Sequence, residues 1–327
     1  MLPLFLKVHK FVLCKHLQGK HLCITSPTQG DGSLVLKKYI QQGDNIMRVL
    51  MIGAHQDDNE FECGGFASKL IKAGHTVQFL SMCNGCGGHH IMTPEETTAT
   101  RAKESACVAK YLGITYDVWD NDDCNLVADL ETRKRTIRYI RKFNPDIVIC
   151  HRTNDYHADH RASALLVQDA SYLLTVPNEC PDVPAMRFMP VIMYCEDPFK
   201  YPPFQADIVV DTDSEIDTKL AIANMNVSQV YEWLPYTRAQ EVPEGAEERF
   251  LWLKGKEITA DTSDEEVLSV EVGYMARYAK PAARHRQKLI ELYGKERGSK
   301  IRFAEAYQVS EYGKPMSEEM KKELLSL

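Results

Sequence analysis

Two short polar segments hold side chains whose types and spacing could support hydrolytic chemistry. The first, at residues 54–60, reads AHQDDNE, and the second, at residues 151–161, reads HRTNDYHADHR. Each follows directly on an apolar run, Arg48–Gly53 or Ile147–Cys150, that predicts a buried strand. If both strands belong to one parallel sheet, the two segments project from the same edge, where ligands bind in open α/β sheets.

The two segments together could supply a complete set of metal ligands. His55 and Asp58 are three residues apart and can face one point within a single turn, and His160 can meet them from the second segment. Two imidazoles and one carboxylate with an open coordination position form the ligand set of a hydrolytic zinc site. We therefore expect His55, Asp58 and His160 to bind a divalent metal, with Zn²⁺ first and Fe²⁺ or another divalent metal as alternatives.

Three further side chains could move or stabilise charge beside such a metal. Asp57 is adjacent to a predicted ligand and is our candidate general base for the attacking water. His157, one turn before His160, could as an imidazolium stabilise an oxyanion or protonate a leaving amine. Asp159 could accept a hydrogen bond from a ligand histidine and so orient its ring.

Each segment alone is a weak signal. An Asp-Asp pair after a strand is often a helix N-cap with a solvated neighbour, and a His-x-x-His pair often has no role. The combination is stronger because both segments lie at strand ends and offer complementary ligand types. By contrast, Cys83-x-x-Cys86 has no second pair at a suitable spacing, so neither a zinc ribbon nor a redox motif is favoured.

The surrounding sequence alternates between strand and helix patterns. Strands are predicted at Arg48–Gly53, 76–82, Ile147–Cys150, 190–194 and 208–210, and helices at 64–73, 98–112, Leu130–Phe143 and 162–175. This alternation predicts an α/β fold with a mostly parallel sheet and helices on both faces. Beyond it, helices are predicted at 217–233, 244–254, 264–278 and 281–293, followed by a short apolar piece at 301–307.

The composition changes near residue 46. Residues 1–46 contain six lysines, two aspartates and no glutamate, whereas the whole chain is acidic. We expect a loosely ordered N-terminal tail at 1–46, a catalytic core at 47–215, and a mainly helical C-terminal extension at 216–327 within the same domain. Met47 would then be the natural start of the folded part.

Composition and charge exclude several classes of protein. The chain has 327 residues, 44% hydrophobic and 26% charged, which is ordinary for a globular protein. A net charge of −7 argues against a nucleic-acid partner, and no run of apolar residues is long enough to predict a membrane span. Ten cysteines are too few for a disulfide scaffold and predict a reducing, cytoplasmic setting.

The two polar segments resemble the paired motifs of the N-acetylglucosaminyl deacetylase family, also called PIG-L/LmbE-like. The family's first motif, Ala-His-Pro-Asp-Asp with a later Gly-Gly pair, corresponds to residues 54–58 and to Gly64-Gly65. Its second motif, His-x-Asp-His, corresponds to residues 157–160. The resemblance covers residues 48–161 and departs at Gln56, where the family usually has proline.

This resemblance implies a Rossmann-like sheet and a divalent metal, usually zinc, held by the three ligands already proposed. It also implies that Asp57 is the base and that His157 is the electrostatic and acid partner. Arg101, in a further piece that looks familial, would bind substrate near the metal.

The resemblance implies a metal-dependent amide hydrolase that removes an N-acetyl group from an amino sugar or glycoconjugate and releases acetate. Its partner would be a small N-acetylated sugar, and a homo-oligomer is possible. Two alternatives remain open: a deacylase or esterase acting on a non-sugar metabolite, and a non-catalytic sugar-binding protein that keeps the fold.

Overall fold

The computed structural model describes residues 46–327 in full and, before them, the backbone of two strands. Strands β1 (Leu13–Leu17) and β2 (Lys20–Ile24) pair in antiparallel register. The chain divides into two compact units, Met1–Ile46 and Met47–Leu327. Apart from β1 and β2, the loosely ordered tail predicted at 1–46 lies outside the described residues, so it stays a prediction.

Seven strands of the second unit form one sheet, in the order β5-β4-β3-β6-β7-β9-β8. They are β3 (Arg48–Gly53), β4 (Thr76–Cys83), β5 (Thr115–Asn121), β6 (Ile147–Cys150), β7 (Val191–Cys195), β8 (Ile208–Asp211) and β9 (Ala304–Val309). The five strands from β5 to β7 are parallel, whereas β9 is antiparallel to both β7 and β8. The predicted mostly parallel sheet is therefore confirmed.

Eleven α-helices lie in the described part of the second unit. They are α1 (Asp58–Lys72), α2 (Pro94–Leu112), α3 (Leu130–Phe143), α4 (Ala158–Leu173), α5 (Ile216–Met225), α6 (Leu234–Thr237), α7 (Ala246–Lys254), α8 (Asp264–Ser269), α9 (Tyr274–Arg284), α10 (Arg286–Gly298) and α11 (Glu318–Ser326). A π-helical segment, Ser228–Trp233, leads into α6. Among the described residues, no helix is both long enough and apolar enough to cross a membrane.

The central strand β3 supplies side chains to a hydrophobic core on each face of the sheet. Val49 and Met51 pack in a core shared with α1, α2 and α5, whereas Leu50 and Ile52 pack in a core shared with α3 and α4. A strand buried on both faces is expected to be continuously apolar, and all four of these residues are buried. Helices on both faces of the sheet are thus confirmed.

Several element boundaries differ from the sequence-based expectations. Helix α1 begins at Asp58 rather than residue 64, and α4 begins at Ala158 rather than 162, because their first turns carry polar residues that extend no apolar stripe. The edge strand β5 was not predicted, since most of its residues are only half-buried or exposed. The helix predicted at 264–278 is two helices, because the first ends at Ser269 and the second begins at Tyr274, directly after Gly273 with its non-helical φ of 95°.

The C-terminal part is helical, as predicted, but it also completes the sheet. The apolar piece at 301–307 is the start of β9, which lies between β7 and β8. Glu305 of β9 is buried and accepts hydrogen bonds from the backbone N–H groups of Gly65 and Phe66 in α1, at 2.8 and 2.7 Å. It also pairs with the buried Lys219 of α5. One carboxylate therefore joins β9 to two helices.

Glycine at positions 64 and 65 allows this close packing. A Cβ at Gly64 would lie 2.4 Å from Ile222 of α5, and one at Gly65 would lie 2.9 Å from Thr212. The Gly-Gly pair of the first motif is thus a packing feature of α1.

We expect Glu305→Ala to lower the free energy of unfolding by about 3–5 kcal/mol, because it leaves the Lys219 ammonium buried without its partner. Urea denaturation would measure the change. Glu311→Ala removes an exposed glutamate shortly after β9 and should change stability by less than about 0.5 kcal/mol. Equal effects of the two substitutions would contradict the role given to Glu305.

Candidate active site

The two polar segments leave the sheet side by side. Strands β3 and β6 are parallel neighbours, and Ile52 lies opposite Cys150 near their carboxyl ends. Residues 54–58 and 151–160 therefore share one edge of the sheet, where α1 and α4 begin.

The Asp58 carboxylate lies at the centre of a group of histidines. Its oxygens are 3.4 Å from His160 Nε2, 3.1 Å from His151 Nε2 and 3.6 Å from His55 Nδ1. Two ligands about 2.1 Å from a tetrahedral ion lie about 3.4 Å apart, so the separations of Asp58 from His160 and His151 suit a shared metal. These three residues form one group of potential ligands, whereas His55 is grouped with His160 and His157 but not with Asp58. Burial acts to raise the pKa of Asp58, but His160 and His151 outweigh it and hold that pKa well below its usual range.

Both predicted ligand histidines have their outer ring nitrogen against a carboxylate. His55 Nε2 lies 3.1 Å from Asp159 Oδ2, and His160 Nδ1 lies 3.1 Å from Asp155 Oδ1. Each carboxylate favours a proton on the outer nitrogen, so the inner nitrogen, which faces Asp58, is the one that a cation would bind in place of a proton. Burial acts to lower the pKa of both rings, but the nearby carboxylates outweigh it and raise both pKa values, so a cation would displace a proton from each ring. This is the arrangement expected of imidazoles that bind a metal. Asp159 thus lies where it can orient a ligand histidine, as the sequence suggested.

Sequence reasoning gave no role to two residues of this group. His151 follows β6 directly, its ring stacks on His160 with centroids 4.0 Å apart, and it forms a potential metal-binding group with Asp58 and His160. Asp155 supports His160. Both stand in the second polar segment, but without the strand register their spacing carries no distinguishing signal.

A second group of potential ligands consists of His55 together with Cys83, Asp123 and Asp159. Asp159 accepts hydrogen bonds there from the backbone N–H groups of Cys124 and Leu126, at 2.6 and 3.2 Å. These contacts hold the loop after β5 against His55. We therefore interpret this group as one that positions His55.

Asp57 is buried and has a strained backbone. Its φ of 121° is uncommon for a residue with a side chain, and such strain often marks functional sites. Burial and the neighbouring Asp58 charge raise the pKa of Asp57 to about 6, while Arg101, His55 and Gln229 act to lower it. Because a divalent cation beside Asp58 would also lower this pKa, the carboxylate is available as a proton acceptor at neutral pH.

Arg101 reaches Asp57 through Gln229. Arg101 is only 2% exposed and donates hydrogen bonds to the Gly88 carbonyl and to Gln229 Oε1. With its oxygen bound to arginine, Gln229 is left to donate from its amide nitrogen to Asp57. Arg101, predicted to bind substrate, does not line the cavity described below, whereas Gln229 does.

Gln229 and its neighbour are held by a second buried contact. Ser228 donates two hydrogen bonds to the Glu104 carboxylate of α2, from its backbone N–H at 2.8 Å and from its hydroxyl at 2.7 Å. Ser228 and Gln229 both belong to the π-helical segment, a conformation frequent at functional sites. In the sequence, this segment falls within the helix predicted at 217–233, and Ser228-Gln229 is a further piece that looks familial.

His157 caps α4 and packs against His55. Its Nδ1 accepts a hydrogen bond from the backbone N–H of Asp159 at 3.2 Å, and the His55 and His157 ring centroids are 4.7 Å apart. Burial and the nearby His55 and His160 lower the pKa of His157, which favours the neutral ring over the imidazolium expected from sequence. With Nδ1 accepting, the proton of the neutral ring lies on Nε2, which can donate it to a ligand oxygen.

Gln56, at the family's proline position, is buried behind Asp57. Neither of its amide atoms has a hydrogen-bond partner among the described residues. Gly85, with a φ of 83°, packs against it, since a Cβ there would lie 2.7 Å from Gln56 Oε1. The side chain thus fills space in the wall of the site and lies apart from the predicted ligands.

A cavity of about 350 Å³ opens above these residues, within the size range of small-molecule sites. Predicted site residues on its wall are His55, Asp57, Asp58 and His160, whereas His157, Asp159 and Arg101 do not line it. Its outer wall contains three arginines, Arg152, Arg238 and Arg277. The arrangement therefore offers a metal-binding corner, a buried carboxylate beside it, and room for a polar substrate.

Comparisons with known proteins agree with this fold. Residues 50–171 match the family model described as PIG-L: GlcNAc-PI de-N-acetylase. The 4-oxalmesaconate hydratase of Pseudomonas putida is 24% identical over 197 residues, which cover 58% of this chain and 76% of that protein.

Two solved structures are similar at low sequence identity. The N,N'-diacetylchitobiose deacetylase of Pyrococcus horikoshii aligns with a TM-score of 0.56 at 19% identity, over 87% of this chain and 95% of that one. The 4-carboxy-2-hydroxymuconate hydratase of Pseudomonas putida aligns with a TM-score of 0.60 at 18% identity, over 84% of this chain and 99% of that one. The fold is therefore shared by a deacetylase and a hydratase.

Proposed function

We propose that this chain, a member of the PIG-L family, is a metal-dependent amide hydrolase that removes an N-acetyl group from a small amino sugar or glycoconjugate. The observation that carries the proposal is the pairing of His55 with Asp159 and of His160 with Asp155, which aims both inner ring nitrogens at Asp58. Surface histidines have no need of such carboxylate partners, whereas metal-ligating histidines usually have them.

The donor set fits zinc best among common metals. Imidazole nitrogens with one carboxylate oxygen are typical zinc ligands, and Fe²⁺ or another divalent ion can use the same atoms. His55, Asp58 and His160 would hold the ion, with His151 close enough to Asp58 to compete for a position. A cation bound there supplies Lewis acidity, which lowers the pKa of water and polarises an amide carbonyl.

Proton transfer is assigned to Asp57. Its carboxylate would take a proton from the attacking water and pass it to the leaving amine, while water supplies the oxygen of the released acetate. The Gln229 amide holds the carboxylate in place, and the Arg101 guanidinium fixes that amide. Arg101 thus acts in this proposal as a positioning residue rather than as the substrate ligand expected from sequence.

His157 would stabilise the oxyanion of the tetrahedral intermediate. Because its Nδ1 accepts from the Asp159 backbone, its Nε2–H can donate a hydrogen bond to developing negative charge. A neutral donor suits this role without a proton transfer, and Asp57 can then deliver the proton to the amine.

The test is a screen for released acetate with the purified chain, zinc added. N-acetylglucosamine, N,N'-diacetylchitobiose and N-acetylated glycoconjugates would be compared with simple acetamides and acetate esters. Release from sugars that disappears in Asp57→Asn would support the proposal, whereas release only from the simple compounds would favour the non-sugar alternative. A metal content near zero after zinc addition would favour a non-catalytic sugar-binding protein.

Similarity to a Pseudomonas putida hydratase, in sequence and in fold, favours a second candidate, the addition of water to a carbon–carbon double bond. The predicted metal ligands and Asp57 could activate water for that reaction as well. Following the ultraviolet absorbance of 4-oxalmesaconate with the chain, beside the acetate screen, separates the two reactions.

The proposal also keeps a small-molecule partner and a cytoplasmic location, as the sequence predicts.

The orienting role of Gln229 leads to a further prediction. We expect Gln229→Leu to lower kcat about 10–100-fold, as for other residues that orient groups in a metal site, with KM changing less. Because the hydrogen bond from Gln229 lowers the pKa of Asp57, its loss should move the acidic limb of the kcat profile to higher pH.

Gln287→Leu, at an exposed glutamine of α10, is the matched control and should leave the profile in place. A Gln229→Leu enzyme with an unshifted acidic limb would show that Gln229 does not act through Asp57.

A further inference from the structure

A smaller cavity adjoins the candidate active site at its outer wall. Its volume is about 220 Å³, and it shares Arg238 and Arg277 with the larger cavity. Lys280 completes a group of three cations on its wall, and Glu271 is the one carboxylate there. A substrate seated in the larger cavity could therefore extend a substituent among these cations.

Two of the three cations are not neutralised. Arg277 pairs with Glu62 at 2.9 Å, but within residues 46–327 neither Arg238 nor Lys280 forms an ion pair. Other cations near the site differ in this respect, since Arg152 pairs with Asp197 and Arg284 with Glu196. Unpaired charge is thus concentrated at the junction of the two cavities.

The cations are also held close to one another. Arg277 and Lys280 are one turn apart on α9 and line the same cavity. Burial, Arg284 and Arg277 lower the pKa of Lys280, whereas Glu271 acts to raise it. Arg238 follows α6, so two separate elements bring positive charge to one place. In a chain with a net charge of −7, this local excess is not a consequence of overall composition.

We propose that Arg238, Arg277 and Lys280 form a subsite for an anionic substituent of the substrate, a phosphate or a carboxylate. The inference rests on the proposed function for the sugar part of the ligand, because that function places the acetamide beside Asp57. Arginine and lysine donors suit both anions, and two of them have no competing partner.

Binding of compounds without an acetyl group tests the subsite separately from catalysis. Glucosamine, glucosamine 6-phosphate and muramic acid share an amino sugar and differ in carrying no anion, a phosphate or a carboxylate. Calorimetric titration of the full chain as purified would measure their dissociation constants at low salt. We expect at least one anionic sugar to bind about tenfold or more tightly than glucosamine, and the better of the two identifies the anion.

The variant Arg238→Gln/Lys280→Gln should abolish this preference. Lys295→Gln/Lys300→Gln makes the same charge change at two exposed lysines that line neither cavity and should retain it. Equal binding of all three sugars, or a preference that survives in the first variant, would overturn the subsite. Urea denaturation of each variant shows whether loss of binding reflects unfolding.

The acetate screen described above remains an independent result. Variant-sensitive binding of an anionic sugar without any acetate release would keep the subsite and reject the hydrolase. Acetate release without a preference for anionic sugars would keep the hydrolase and reject the subsite.

Discussion

Asp57→Asn is expected to lower kcat by roughly 10²–10⁴-fold, the range for loss of a general base, while the bound metal remains. Asparagine has nearly the same shape but cannot accept the proton of water. Asp57 lies beside the predicted ligands, and within residues 46–327 no group of potential metal ligands includes it. The side chain that does the proton transfer is therefore separable from those that bind the metal.

The measurement pairs steady-state hydrolysis with metal content by elemental analysis. Asp261→Asn, at an exposed aspartate, is the matched control and should change neither quantity. If Asp57→Asn lost its metal while its free energy of unfolding stayed unchanged, Asp57 would be a ligand and the division of roles would be wrong.

His160→Ala is expected to have the largest effect, loss of both metal and activity. It removes an inner nitrogen 3.4 Å from Asp58 and leaves Asp155 without its histidine. Since supporting residues alone change metal affinity about 10–100-fold, we expect loss of a ligand to weaken zinc binding by more than about 100-fold.

Competition with a chromogenic chelator would give the zinc affinity of His160→Ala and of two comparison variants. His90→Ala changes an exposed histidine that stacks on Tyr236 and should bind zinc normally. His151→Ala tests the role of His151. A modest loss of zinc affinity would indicate a supporting residue, and a loss like that of His160→Ala would indicate a fourth ligand. Normal zinc affinity in His160→Ala would remove the basis of the proposed metal centre.

The sequence was sufficient to predict the sheet and the place of the site. Alternating apolar runs and amphipathic stretches indicate which residues are buried, because apolar residue types favour burial. The strand-end location of His55, Asp58 and His160 followed from that pattern together with the rule for parallel sheets. Their ligand roles stay a prediction until metal content is measured.

The remaining features depend on contacts between distant segments, which local patterns do not encode. His151 was one of several polar residues after β6, and only the register of β3 against β6 brings it to Asp58. The link from Arg101 through Gln229 to Asp57 joins residues that lie more than a hundred positions apart. Likewise, β9 is short, and its antiparallel place between two parallel strands follows from no local signal.

The bonds from Glu305 to α1 have a consequence for the order in which the protein matures during translation. Asp58 begins the helix that Glu305 holds, so the nascent chain cannot form these bonds until the ribosome has released β9, the last strand of the described sheet along the chain. A polypeptide cut short before residue 304 would contain every predicted metal ligand and yet lack the strand that holds the helix of Asp58. We therefore expect metal binding to follow the addition of β9 to the sheet.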